Sequence, residues 1–256
     1  MENKDYTNWL NNEYTLWQNA LKEAPFYKFK HHPAVIRMIG LADLHLEFVP
    51  LIEHLDLPWQ QLESIDQIGS PQYTVDINGV KLSGVCLRFI YYANRVLDSV
   101  KNMTEIKLAE IGGGYGGFCA VVHLVARHRG IKIKQYTIYD LVPVQEFQEK
   151  YLKQIVKENS NTGIKSLFFP NPGIHFFIHG WEPNFIMSFY ALGEFDNATK
   201  NAYIENIISK VPHGLVIWNP HSGSDNSLDL LQKHHPSINV KQEYPLTSIN
   251  NQEVTW

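Results

Sequence analysis

The chain has 256 residues, 44% of them hydrophobic, enough to bury one large core or a catalytic unit with an elaborated cap. A net charge of −4, with 22 Lys and Arg against 26 Asp and Glu, leaves no basic footprint for nucleic acid. The polar start Met1-Glu2-Asn3-Lys4-Asp5 argues against a signal peptide, no apolar run reaches membrane-spanning length, and two cysteines without metal spacing predict no disulfide, so a cytoplasmic enzyme is expected.

Over 5–24, Tyr6, Trp9, Leu10, Trp17, Ala20 and Leu21 fall at helical spacing with Pro25 as a stop. Such an aromatic face predicts packing on the catalytic unit or on a second copy, so a homodimer is an open expectation. The basic stretch 28–32 is either a grip for an anionic substrate or a solvated loop. Residues 41–61, interrupted by Pro50 and Pro58, predict two or three short helices. Over 73–83 the period changes to alternation around Asn78-Gly79, the local signal for a hairpin, because both residues tolerate positive φ. The segment 85–100 is apolar over a wide arc and leaves a polar stripe of Arg88, Tyr91, Arg95 and Asp98. If that stripe borders a cleft, Arg88 and Tyr91 are candidates for substrate binding.

Residues 106–117 read as a buried strand broken by a glycine turn, and 118–129 follow as a helix with Gly130 at its C-terminal end. Strand, glycine turn and helix start make a cofactor cradle, because residues without a Cβ let a ligand touch backbone whose amides are free. Gly112, Gly114 and Gly117 satisfy the dinucleotide pattern, while Glu110, Gly112, Gly114 and Gly116 satisfy the acid-led form of S-adenosylmethionine (SAM) enzymes. Glu110 favours SAM, since a carboxylate attracts the methionyl ammonium and repels a pyrophosphate. Asp140, closing a strand over 135–140, suits ribose hydroxyls of either cofactor.

A helix over 144–158 comes next, and then two rival third strands, 164–169 and 174–178. Beyond them the pattern predicts a strand over 184–190, a helix over 197–210, a strand over 214–218, a helix over 227–234 and two closing strands, 239–244 and 253–256. Strands alternating with helices predict an α/β fold, a mostly parallel sheet covered on both faces, with ligands at the carboxyl ends of the strands.

The runs Glu110-Ile-Gly-Gly-Gly-Tyr-Gly-Gly117, Tyr136-Thr-Ile-Tyr-Asp-Leu141 and Ser188-Phe-Tyr-Ala-Leu-Gly-Glu194 resemble the sugar O-methyltransferase family, a branch of the class I SAM-dependent methyltransferases. The likeness covers the last two-thirds of the chain and extends to 83–93. It implies a Rossmann-like, seven-stranded catalytic domain over 103–256, beneath a helical cap over 1–102 that contains the hairpin and sets acceptor specificity. It further implies a SAM site made of Glu110, Gly112, Gly113, Gly114, Tyr115, Gly116, Asp140, Leu141 and Ser188. The implied acceptor is a sugar or nucleotide sugar of surface-glycan synthesis. This chain departs from the family at Phe189, where an Asn is common, so no role of that Asn carries over.

Methyl transfer to a hydroxyl requires one base and an aligned acceptor. The loops after the fourth and fifth strands offer Tyr190, Glu194 and His221, with Asn219 as a substrate contact. His221 is the favoured base because an imidazole titrates near neutrality, whereas an acid such as Glu194 fits a base or sugar-hydroxyl acceptor and a helix start equally well. No metal is expected, since the fifth strand exit offers Asn219 and no carboxylate. Three rival readings stay open: transfer to a phosphate-like group, an NAD-dependent oxidoreductase, and a SAM-fold partner subunit without turnover.

Overall fold

The computed structural model describes Thr15, Leu16, Asn19 and residues 26–158, 182–219 and 227–256. The helix expected over 5–24 and both rival third strands lie outside those residues, apart from the three isolated positions. Among the described residues no helix is long and apolar enough to cross a membrane.

A 3-10 turn, Phe26–His31, leads into α1 (Pro33–Ile39), where Pro33 occupies the first turn and His32 Nδ1 accepts the Ala34 N–H at 3.3 Å. The basic stretch divides: Lys28 is exposed, whereas Lys30 and His32 serve the fold. Lys30 is 1% exposed, pairs with Asp66 Oδ1 at 2.8 Å and lies over the Tyr115 ring, while His32 is spent on the cap. Asp66 also accepts the Ser83 N–H at 2.6 Å and the Ser83 hydroxyl at 2.8 Å, so the buried ion pair is tied to the start of the next long helix.

Short helices follow as expected: a 3-10 turn, Leu46–Phe48, then α2 (Val49–Ile52) and α3 (Trp59–Asp66). Pro50 and Pro58 begin helices here instead of breaking one, since a missing N–H costs nothing in a first turn. Strands β1 (Thr74–Ile77) and β2 (Val80–Ser83) form the hairpin, with Asn78 at φ 50° and Gly79 at φ 78°. Helix α4 (Gly84–Val100) starts at Ser83, whose Oγ accepts the Cys86 N–H at 3.2 Å.

Beyond α4 come β3 (Ile106–Ile111), α5 (Gly117–His128), β4 (Ile133–Tyr139) and α6 (Val142–Glu158). After the gap lie β5 (Phe185–Phe189), α7 (Ala191–Glu194), α8 (Asn197–Asn206), a 3-10 turn (Ile208–Lys210) and β6 (His213–Trp218). Helix α9 (Ser227–His234) and the antiparallel pair β7 (Asn239–Gln242) and β8 (Gln252–Thr255) close the chain. The expected single helix over 197–210 thus divides at Ile207.

The sheet runs β4-β3-β5-β6-β8-β7, parallel from β4 to β6 and antiparallel beyond. It has six strands among the described residues, against the seven expected. Side chains alternate between two cores as a pleated strand requires. Leu108, Met187 and Ile217 join one cluster with α4, α5 and α6, while Ala109, Ile186 and Val216 join the other with α8 and α9. The first cluster also contains Phe48, Leu62, Leu82 and Ile90, so the described part of the expected cap shares its core with the sheet.

Candidate active site

The carboxyl ends of β3, β4 and β5 converge on the glycine loop, and each glycine answers a different constraint. Gly112 has φ 75°, its N–H donates to Tyr139 O at 2.9 Å, and a Cβ there would stand 2.1 Å from the Ala191 Cβ, so α7 packs directly on the loop. At Gly113 a Cβ would strike Ile138 Cγ2 at 2.6 Å. Gly116, at φ 91°, precedes the first turn of α5. Gly114, at φ 53°, has the open side, where a Cβ would meet only Ile39 Cγ2, at 3.4 Å. Tyr115 turns the other way: its ring is buried, 4.9 Å from Tyr151 and 5.4 Å from Phe29, so only its backbone is left for a cofactor.

Both acids expected to touch the cofactor are held by protein groups. Glu110 is 3% exposed beneath Gly113 and accepts the Tyr136 hydroxyl at 2.7 Å. Burial pushes its carboxyl up to about 8, against the pull of that hydrogen bond. Burial thus opposes the charge on Glu110 that the sequence argument called for, and a neighbouring ammonium would favour it. Asp140 stands at the β4 exit, where Leu141 N–H donates to Oδ1 at 2.8 Å and Gln148 Nε2 donates to Oδ2 at 2.8 Å. The amides of Gly113 and Gly114 also donate to it, yet burial prevails and pushes the carboxyl up to about 7. Gln148 donates in addition to Gly114 O at 2.9 Å, and so locks α6 to the loop. Sequence reading missed Gln148; the available signal was a glutamine eight residues after the acid, at helical spacing from Gln145. Ser188 is wholly buried, donates to Ile111 O at 3.0 Å and accepts the Leu192 N–H at 3.1 Å, which makes it a brace between β3, β5 and α7.

On the acceptor side, Tyr190 takes φ 73° at the β5 exit and donates to Glu243 Oε1 at 2.7 Å, while Thr247 Oγ1, which donates to Glu243 Oε2 at 2.7 Å, lies 3.2 Å from its hydroxyl. Burial raises the phenol to about 12, and a phenol so raised, with its proton committed to a carboxylate, is a poor base at neutral pH. The Arg88 guanidinium lies 4.8 Å over the Tyr190 ring and donates to Ile39 O at 3.4 Å, which joins the polar stripe of α4 to the glycine loop. Tyr91 donates to Tyr244 O at 2.8 Å. The other half of the stripe goes elsewhere: Arg95 pairs with Glu253 on β8, and Asp98 with Arg129 at 2.5 Å.

Glu194 ends α7, half-buried, and the helix-start duty that would explain an acid there belongs to Asp196, which accepts the Thr199 N–H at 2.7 Å. Asn219 follows β6, and its backbone lies within 3 Å of where a Gly193 Cβ would be, so the loops after β5 and β6 touch. His221 lies outside the described residues. Sequence reading also missed Glu243, 2% exposed and accepting from Tyr92, Tyr190, Thr247 and Asn251. A lone acid at the end of a predicted strand was its only mark. Among the described residues no three His, Cys, Asp or Glu side chains group as metal ligands.

No family model and no curated protein matches the chain. Solved structures similar to it include an O-methyltransferase family protein from Burkholderia thailandensis, at 13% identity and TM-score 0.41, covering 65% of this chain and 56% of that one. Another is a SAM-dependent methyltransferase from Aquifex aeolicus, at 11% identity and TM-score 0.42, covering 65% and 89%. A third is the magnesium protoporphyrin IX methyltransferase of Synechocystis PCC 6803 with bound SAM, at 10% identity and TM-score 0.43, covering 83% and 95%. The chain thus spans little more than half of the Burkholderia protein, and these are partial likenesses of chain path, from which no residue role is transferred.

Proposed function

We propose that the protein is a SAM-dependent O-methyltransferase acting on a hydroxyl of a sugar or sugar derivative. The observation that carries this reading is the meeting of three strand exits at one glycine loop: Gly114 with an open backbone, Asp140 hydrogen-bonded to the loop amides, and Ala191 packed on Gly112. The residues fit the adenosyl part of SAM: Asp140 for the ribose, and the backbone of Gly112, Gly114 and Tyr115 with the start of α5 for the rest. When bound, SAM supplies an electrophilic methyl group on a sulfonium.

The chain's own groups supply alignment and proton handling. In this reading Arg88, Tyr91, Tyr190, Glu194 and Asn219 serve the acceptor, with Arg88 stacked on Tyr190, and Gln148 keeps Asp140 and Gly114 in register. In this reading 1–102 forms the acceptor-facing region over a catalytic unit of 103–256. The sugar acceptor rests on the resemblance of Glu110 to Gly117 and of Ser188 to Glu194 to the sugar O-methyltransferases. Calorimetry with S-adenosylhomocysteine and with NAD tests the cofactor directly. Binding of S-adenosylhomocysteine with a raised melting temperature is expected, whereas stabilisation by NAD alone overturns the reading in favour of an oxidoreductase.

A further inference from the structure

Tyr190 holds a backbone conformation that side chains rarely allow, φ 73° and ψ −39°, at the exit of β5. The next residue, Ala191, packs on Gly112 of the glycine loop. Two groups one turn apart on α4 meet the Tyr190 side chain, Arg88 directly and Tyr92 through Glu243. The Arg88 guanidinium lies 4.8 Å from the ring centroid, and the Tyr92 hydroxyl donates at 2.7 Å to Glu243 Oε1, the oxygen that also takes the Tyr190 proton at 2.7 Å.

Glu243 is 2% exposed, and its other oxygen accepts the Thr247 N–H at 3.0 Å, the Thr247 hydroxyl at 2.7 Å and the Asn251 amide at 2.9 Å. Both carboxylate oxygens thus receive donors, and a carboxylate only accepts, so the Tyr190 proton has one direction to point. The side chain is held at its hydroxyl by the β7–β8 loop and at its backbone by the packing of Ala191 on Gly112, while Arg88 rests on the ring. Closing a core does not require such a hub, since apolar residues fill a buried corner at no greater cost than a satisfied charge. A strained backbone and a polar hub at a strand exit, where ligands bind in a sheet of this kind, answer a need for alignment.

We propose that Glu243 is a positioning residue for methyl transfer: through the Tyr190 hydroxyl it fixes the Tyr190 ring, and through the ring the Arg88 guanidinium, as the wall against which the acceptor is aligned. This rests on the methyltransferase reading above. Glu243 itself touches neither methyl donor nor acceptor and moves no proton. Acceptor alignment then depends on the loop 243–251 together with α4, and not on 1–102 alone.

The test compares substitutions around one oxygen in the full chain. In Glu243→Gln the amide oxygen must face the Thr247 N–H, which can only donate, so the NH2 faces the two tyrosines and Tyr190 turns from donor to acceptor. Tyr190→Phe removes the same hydrogen bond from the other end and carries the test if Glu243→Gln fails to fold. Tyr92→Phe removes the neighbouring donor and leaves that of Tyr190 in place. With 15N-arginine labelling, the Arg88 Nε–H signal, assigned by its loss in Arg88→Lys, reads the stack without any acceptor. It is expected to move in Glu243→Gln and Tyr190→Phe and to stay in Tyr92→Phe. In turnover of tritiated SAM against a panel of neutral methyl glycosides, the first two are expected to lose about ten- to a hundred-fold in kcat at unchanged S-adenosylhomocysteine affinity, the cost of a misaligned acceptor. Tyr92→Phe is expected to keep the wild-type kcat, and the double variant of Glu243→Gln with Tyr190→Phe to lose no more than the worse single, because both break one linkage. An unmoved Arg88 signal in Tyr190→Phe, a wild-type kcat there, or an equal loss in Tyr92→Phe overturns the proposal, since a purely structural hub treats the two tyrosines alike. Failure of the wild type to bind S-adenosylhomocysteine overturns the cofactor reading instead, and failure to methylate any glycoside overturns the sugar reading; the Arg88 signal decides the Glu243 linkage separately from both.

Discussion

Glu110 and Asp140 show how far residue-level reading reaches. Both acids are evident from the glycine spacing and the strand pattern. Their burial is not, because it depends on Tyr136 and Gln148 arriving from elements that spacing alone does not orient. That burial has a consequence for stability. The folded chain holds protons on Glu110 up to about 8 and on Asp140 up to about 7, against ordinary values of 4.5 and 3.8. Across that window the native state binds more protons than the unfolded one, so stability is highest at the acid end and falls as pH rises through the folded values. Thermal melts from pH 5 to pH 8 are expected to show this decline, and Glu110→Gln to flatten it, since a neutral amide has no proton to lose. An unchanged slope in that variant would assign the decline to other groups. Asp140→Ala is expected to weaken S-adenosylhomocysteine binding by about 1.5–3 kcal/mol, the cost of losing charge-assisted hydrogen bonds. It should also lower the melting temperature, because the Leu141, Gly113 and Gly114 amides lose their shared acceptor. Wild-type affinity in calorimetry would remove Asp140 from the ribose site.

At the scale of elements, sequence periodicity located nearly every helix and strand in the described residues and failed where a chain turns inward. The closing strands were read as a pair joined by a turn, and β7 and β8 are such a pair. The reading carried β7 on to 244, whereas the strand stops at Gln242 and Glu243 folds under to gather donors from α4, the β5 exit and its own loop. A polar residue that breaks alternation looks the same in sequence whether it meets water or a buried network. Oε1 accepts from Tyr92 and Tyr190, and Oε2 from Thr247 and Asn251. Glu243→Ala strands all of these donors, and at about 1–3 kcal/mol for each buried group left unsatisfied the loss should exceed about 3 kcal/mol in urea unfolding. Glu243→Gln should fall between, because its amide keeps one accepting oxygen and turns two donors toward the rest. A loss below about 1 kcal/mol in Glu243→Ala would mean that water satisfies the network.

At the scale of the whole molecule, the division into a cap and a catalytic domain is the expectation most in need of a measurement. The resemblance places a boundary near 102, and the apolar arc of α4 gives no sign in sequence of whether it closes its own core or another's. In the structure it does the latter: Ile90, Val96 and Leu97 lie in one cluster with Leu108, Val122 and Leu215. The buried Lys30 and Asp66 pair stands within that continuity, reaching Tyr115 of the glycine loop on one side and the first turn of α4 on the other. Removing one partner of such a pair leaves a buried charge, which costs about 3–5 kcal/mol. Lys30→Met is therefore expected to destabilise the whole chain by that amount. Native-state hydrogen exchange reads the difference between one unit and two, because residues that open only with global unfolding share one free energy. The amides of β2 and β3 are expected to converge on a common opening free energy in the wild type, and to fall together in Lys30→Met. If the first hundred residues were an independent cap, the β2 amides would open at lower free energy and the substitution would lower them while β3 kept its wild-type protection.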